Sequence, residues 1–275
     1  MIAQINHSKL ILQENADVQY TFDKTGRLTN IRHGHRYIAR GFDGSMVAHT
    51  WHRGHHQTDP LSDEETRTLI SRSRETLQKA QARHDLFLSD PLSTDDVLPW
   101  FERALSFQPE KDRLTFHEVY RPVGILPPDQ YAAVVLQVSE SCAWNRCSFC
   151  SFYKGKPFHL KTFEQFARHV QDVRNFIGEE ISARNSIFLG EANAMAAPVD
   201  LLIREMDHAA DRLVPSMADF RGFYSFLEPG QTPEISGTDW RRLRDAGLRR
   251  IYLGLETGCG ELRETLGKTG SVEDV

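Results

Sequence analysis

The chain has 275 residues, enough to bury a sizeable core as one large domain or two modest ones. With 40% hydrophobic and 26% charged residues it has the composition of an ordinary globular protein, and a net charge of −5 argues against a general nucleic-acid or anionic-membrane binder. No apolar run reaches the roughly eighteen residues needed to span a bilayer, and the opening MIAQINHSKLILQEN lacks a basic region followed by a long apolar stretch, so a cytosolic chain is expected.

Residues 18–48 alternate weakly, with Val18, Tyr20 and Phe22 on one face, and Asp23-Lys24-Thr25-Gly26 reads as a turn. A hairpin or small sheet is predicted there. His33, His35, His49, His52, His55 and His56 crowd the same region. Imidazoles that close can ligate a metal, but no carboxylate or cysteine completes a spacing, so a polar surface loop is the expectation. Ser62 with Glu65 forms a capping box, and a polar helix is predicted from there to about Arg83. A shorter helix begins near Ser93, kinked or started at Pro99. The segment from Tyr120 to Gln130, with Pro122, Pro127 and Pro128, reads as a linker. The expected division is a small α+β domain over 1–125 and a second domain over 126–275.

Beyond the linker the pattern becomes regular. A β-branched run from Ala133 to Val138 predicts a buried strand. Phe163, Phe166, Val170, Val173 and Ile177 then give one apolar stripe of a helix, with Gly178 where it should stop. Ser186–Leu189, Gly222–Leu227 and Arg250–Leu255 read as further strands. Between them lie a helix from Pro198, carrying Leu202, Met206, Ala209 and Leu213, and one from Ser236 or Thr238 to Gly247. A last helical stretch follows Gly260. Tandem strand–helix units of this kind predict an α/β fold with a parallel sheet and right-handed crossovers, open or closed into a barrel.

Parallel α/β folds bind ligands where each strand hands over to its helix. The first handover holds Cys142, Cys147 and Cys150, and the second Gly190-Glu191-Ala192-Asn193. The third has Ser225 in the strand with Glu228 just past it, and the fourth has Leu255-Glu256-Thr257-Gly258. In a cytosolic protein, clustered cysteines bind metal or do redox chemistry more often than they form disulfides. Structural zinc wants four ligands, and His159 is the nearby candidate for the fourth. A four-iron, four-sulfide cubane normally takes four cysteines; with three, one iron keeps an open position.

The stretch C-x-W-N-x-C-x-F-C followed by Tyr153-Lys154-Gly155-Lys156-Pro157-Phe158 resembles the radical S-adenosylmethionine superfamily, near its Elp3-like subgroup. Four residues separate the first cysteine pair here, where three is usual in the superfamily. The resemblance runs from about Tyr120 to the end of the chain. It implies a TIM-type (β/α) barrel and a 4Fe-4S cluster on Cys142, Cys147 and Cys150, with S-adenosylmethionine on the fourth iron. It further implies reductive cleavage of that cofactor, hydrogen abstraction from a substrate, and an electron donor such as a flavodoxin or ferredoxin. Phe149 would lie near the adenine, and Gly190 and Glu191 would receive the methionine amine with Asn193 as a companion. Ser225 would point into the barrel toward ribose or carboxylate, and Glu256 would accept from a ribose hydroxyl.

Such barrels commonly have six units, and four are legible here, so a partial barrel, truncated or closed by a partner, is expected. The alternatives are a zinc-binding interaction module using the cysteine loop with His159 or the amino-terminal histidines, and a relative of the radical enzymes without turnover. Cys259 reads as a small buried residue. Lys154, Lys156, Arg263 and Lys268 read as solvated charges, of which Lys268 is the one favoured to steer an anion.

Overall fold

Short β-branched and aromatic segments punctuated by Gly and Asp build the amino-terminal half of the computed structural model. It describes residues 1–6, 8–52, 54–82, 87–88, 93–121 and 123–274. The expected helix end at Arg83, Pro122 of the linker, the terminal Val275 and the side chain of His52 lie outside the described residues. The chain forms two units: Met1–Glu118 with Gly178–Glu180, and Val119–Ile177 with Ile181–Val275.

In the first unit, β1 (Ile2–Asn6), β2 (Lys9–Gln13), β3 (Val18–Asp23), β4 (Leu28–His33), β5 (Arg36–Arg40), β6 (Met46–His52) and β7 (His55–Pro60) form an antiparallel meander, and β8 (Phe87–Leu88) adds in parallel beside β1. The expected hairpin or small sheet is part of an eight-stranded sheet. The histidine-rich segment is strand, not surface loop: His33, His49, His55 and His56 all lie in β4, β6 and β7. β7 is polar and exposed along its whole length, so no alternation marks it. The Asp23–Gly26 turn is as predicted. Asp23 Oδ1 accepts from the Thr25 and Arg27 amides, and Gly26 takes φ +88°, where a Cβ would meet the Arg103 carbonyl at 2.4 Å.

Leu10, Leu12, Tyr20, Phe22, Ile31, Ile38 and Met46 pack from the inner face against α1 (Asp63–Gln81) and α2 (Thr94–Ser106) through Leu77, Val97 and Phe101. Each side chain of that size contributes about 1.5–3 kcal/mol on burial. The Ser62–Glu65 capping box forms in both directions. Ser93 starts the second helix and Pro99 lies inside it rather than at its start. A third helix, α3 (Pro109–Val119), follows where the sequence offers no apolar stripe.

In the second unit, β9 (Val134–Gln137) leads to a two-stranded ribbon of β10 (Ser139–Glu140) and β11 (His159–Leu160), then α4 (Phe163–Ile177). Next come β12 (Ile187–Gly190), α5 (Val199–Leu213), β13 (Phe223–Leu227), α6 (Gly237–Asp245), β14 (Leu248–Leu253) and α7 (Gly260–Thr265). The strands β9, β12, β13 and β14 form one parallel sheet in that spatial order. Gly178, at φ +62°, ends α4 as expected. Leu136, Leu189 and Ser225 share one buried face, whereas Phe188, Phe226 and Tyr252 gather their rings on the other. Asp129, ahead of β9, accepts from Arg250 Nη1 and the Tyr252 hydroxyl, each at 2.8 Å, and so ties the start of the first edge strand to the last.

Candidate functional site

All four parallel strands end on one rim, and the cysteine loop rises from the first of them. Its entry is set by Glu191 at the end of β12: Oε2 accepts from the Ser141 amide at 2.6 Å and Oε1 from Gln137 Nε2. Those bonds hold Ser141 at φ +68°, a conformation a serine adopts only when its surroundings fix it. Within the loop, Asn145 at φ +49° gives its side-chain amide to the Tyr153 carbonyl, and its backbone N–H points at Cys142 Sγ, 3.4 Å away. The far side is fastened to the segment after α7. Trp144 Nε1 donates to the Gly267 carbonyl at 2.7 Å, and the Ser148 amide to that of Leu266 at 2.8 Å. Gly267, at φ +64°, approaches so closely that a Cβ would stand 3.0 Å from the Arg146 carbonyl.

Cys142, Cys147 and Cys150 are free, half-buried thiols on this loop. Burial pushes the Cys147 thiol up; Lys268 pulls it down, and the charges of Cys142, Glu228 and Cys150 push it further up. The three sulfurs thus share one electrostatic neighbourhood. Among the described residues no three His, Cys, Asp or Glu side chains stand close enough to hold a single metal ion. His159 is exposed and faces Gln165 Oε1 at 3.0 Å.

Lys268 is no solvated charge. Its side chain is 3% exposed, hydrogen-bonded to Glu228 and paired with Glu256 Oε2 at 2.8 Å. Burial disfavours its ammonium, yet the two carboxylates outweigh that and hold its pKa above the ordinary lysine value. Burial raises Glu228, with Lys268 opposing, and Glu228 Oε1 is buried without a hydrogen-bond partner among the described residues. Arg263 is likewise buried, donating to the Leu255 and Thr269 carbonyls. Lys154 and Lys156 are exposed, as expected, and donate to loop carbonyls.

The other expected contacts fall in two groups. Glu191, Asn193 and Ser225 are buried and engaged within the chain. Asn193 Oδ1 accepts from the Glu228 amide at 3.3 Å, joining the second and third strand ends, and its side chain does not cap the following turn. Ser225 gives its hydroxyl to the Leu189 carbonyl at 3.0 Å and lies on the face of Leu136 and Leu189, not on the aromatic one. A Cβ on Gly190 would make only ordinary contacts, 3.6 Å to Val135. Phe149 and Glu256, by contrast, present exposed surface, Phe149 with 52% of its area. Cys259 is exposed, just before α7, and not the buried residue expected.

Sequence reasoning missed the parts Trp144, Gln137 and Glu228 play. The first lies inside the cysteine motif and the third directly after a strand, so position alone flagged both. A buried charge layer beneath the loop carried no signal at all. Lys161 donates to Glu140 at 2.8 Å, and His169 Nε2 accepts from the Gln137 amide at 3.0 Å. Glu205 on α5 is fully buried, both oxygens without a hydrogen-bond partner among the described residues. Burial moves Glu205 up to about 8 and His169 down to about 3.

No protein-family model and no curated protein matches this chain. Its fold was compared with solved structures. One match is the cobalamin-dependent S-adenosylmethionine radical enzyme OxsB with aqua-cobalamin and S-adenosylmethionine bound. It has 19% identity and a TM-score of 0.39, covering 52% of this chain and 21% of that one. The same enzyme with aqua-cobalamin alone gives 19% identity and a TM-score of 0.38, covering 51% and 20%. The chain therefore spans about a fifth of the solved structures it matches.

Proposed function

We propose that this chain is a radical S-adenosylmethionine enzyme, Elp3-like in its cysteine loop, built on four strand–helix units of a partial TIM-type barrel. The observation that carries the reading is the placement of Cys142, Cys147 and Cys150. They stand on one fastened loop, on the rim where the other strand ends gather, in a shared electrostatic neighbourhood with Lys268.

The donor set suits a 4Fe-4S cluster better than structural zinc. Structural zinc wants four ligands, and His159 faces Gln165; three cysteines leave one iron of a cubane open. Cys142, Cys147 and Cys150 would hold such a cluster, which would supply the electron for reductive cleavage of S-adenosylmethionine and so the means to abstract hydrogen from a substrate.

The chain's own residues supply the frame for that chemistry. Glu191, Gln137 and Trp144 fix the loop. Lys268, buried between Glu228 and Glu256, is the cation that pulls the Cys147 thiol down, while burial and the Glu228 charge push it up. Phe149 offers an exposed ring for stacking on adenine, and Glu256 an accessible oxygen for ribose. Gly190 and Glu191, with Asn193 and Ser225, set the strand ends on the rim. The electron donor is taken to be a flavodoxin or ferredoxin, and the substrate to reach the rim.

Anaerobic reconstitution tests this. Close to four irons and four sulfides per chain are expected, with 5′-deoxyadenosine formed from S-adenosylmethionine under reductant. Cys147→Ala should abolish both and Cys259→Ala neither. Stoichiometric colourless zinc in place of iron and sulfide would end the reading.

A further inference from the structure

The meander brings together two of the histidines that the sequence scatters over residues 33–56. His49 on β6 and His56 on β7 are diagonal neighbours, since His49 pairs with Thr58 and Trp51 with His56. Their rings are parallel within 3°, and His49 Nδ1 stands 3.0 Å from His56 Nε2. Trp51 stacks on His56 with centroids 4.9 Å apart. Trp51 is 57% exposed and His56 is exposed, so water reaches this face. Tyr37, the other aromatic nearby, gives its hydroxyl to Asn30 and is not a third donor.

We infer that His49 and His56 form a two-imidazole site for a divalent transition metal on the outer face of the amino-terminal sheet, with water filling the remaining positions. Two imidazole nitrogens with water oxygens in the other positions make the N,O donor set that tetragonal Cu(II) or Ni(II) takes. Binding needs the two rings to turn from facing each other to facing one point, and the shared hydrogen leaves as a proton or moves to the outer nitrogen. An ion held this way clips the edge strand β7 to β6.

The test uses the full chain with its cysteines carboxamidomethylated, so that thiols do not compete, and titrates CuCl2 and NiCl2. One equivalent of Cu(II) should give an electron-spin-echo signature of two imidazoles and quench tryptophan emission, the quenchable part being lost in Trp51→Phe. His49→Gln and His56→Gln should each weaken binding at least tenfold and remove the rise in melting temperature that metal gives the parent. His55→Gln, at the adjacent strand position facing the other side, should change neither. A single-imidazole signature, or His56→Gln binding Cu(II) and Ni(II) as the parent does, would overturn the site.

Discussion

The indole nitrogen of Trp144 donates to the backbone carbonyl of Gly267 across 2.7 Å, joining residues 123 positions apart in the chain. The loop after the first parallel strand is thereby fastened to the segment after the fourth. β9 and β14, the strands that carry them, are the two edges of the sheet. Trp144→Phe keeps an aromatic ring beside Arg146, which lies 5.1 Å from the indole, and removes the donor. Leaving the Gly267 carbonyl without its partner should cost about 1 kcal/mol in urea unfolding. A larger effect is expected on reconstitution: iron retained per chain should fall, because the loop is set by few bonds.

Lys268→Met should be the most damaging single change on the rim outside the cysteines. It strands Glu228 and Glu256 without their shared cation, and breaking one partner out of a buried pair costs roughly 3–5 kcal/mol. The pair at Glu256 is partly exposed, so most of that loss belongs to Glu228, whose side chain is 16% exposed against 33% for Glu256. Adding Glu228→Gln to Lys268→Met should recover part of the stability, and chemical unfolding of the four chains of that cycle measures it. Equal stability of the single and double variants would show that the carboxylate is not the stranded group.

Stability against pH should reflect two buried groups with opposite signs. Glu205 has its folded pKa raised to about 8 by burial, from an ordinary glutamate value of 4.5. Between those values the folded state holds the extra proton, so stability falls as pH rises through that window. At pH 7 the penalty is on the order of 3 kcal/mol. Glu205→Met should therefore stabilise the protein at pH 7.5 and change little near pH 4.5.

His169 behaves in the reverse sense. Burial lowers its folded pKa to about 3 from 6.5, so the unfolded chain takes up the proton first and stability falls as pH drops below about 6.5. His169→Gln, which can still accept from the Gln137 amide, should flatten that acid limb in thermal melts recorded from pH 4 to 7. A parent chain and variant with the same acid limb would remove His169 as its source.

How much of this was legible in the sequence depends on how far each feature reaches along the chain. Periodicity of three and four residues reports burial within one helix, so the stripe of Phe166, Val170 and Val173 and the stop at Gly178 were readable. So were the strand–helix alternation, the capping box at Ser62 and the cysteine spacing, all of them local patterns. The antiparallel meander was read only as a hairpin or small sheet, because a strand such as β7, exposed along its whole length, carries no period of two.

Tertiary structure alone decided which side chains meet. Glu191 looked free to bind a ligand and instead spends both oxygens on Gln137 and Ser141. Lys268 looked solvated and is buried between Glu228 and Glu256. His49 and His56 became neighbours only through the register of β6 on β7. Sequence fixes what each residue can donate, accept or bury. Only chain folding sets the few ångströms between residues tens to hundreds of positions apart, and hydrogen bonds and ion pairs are won or lost over that distance.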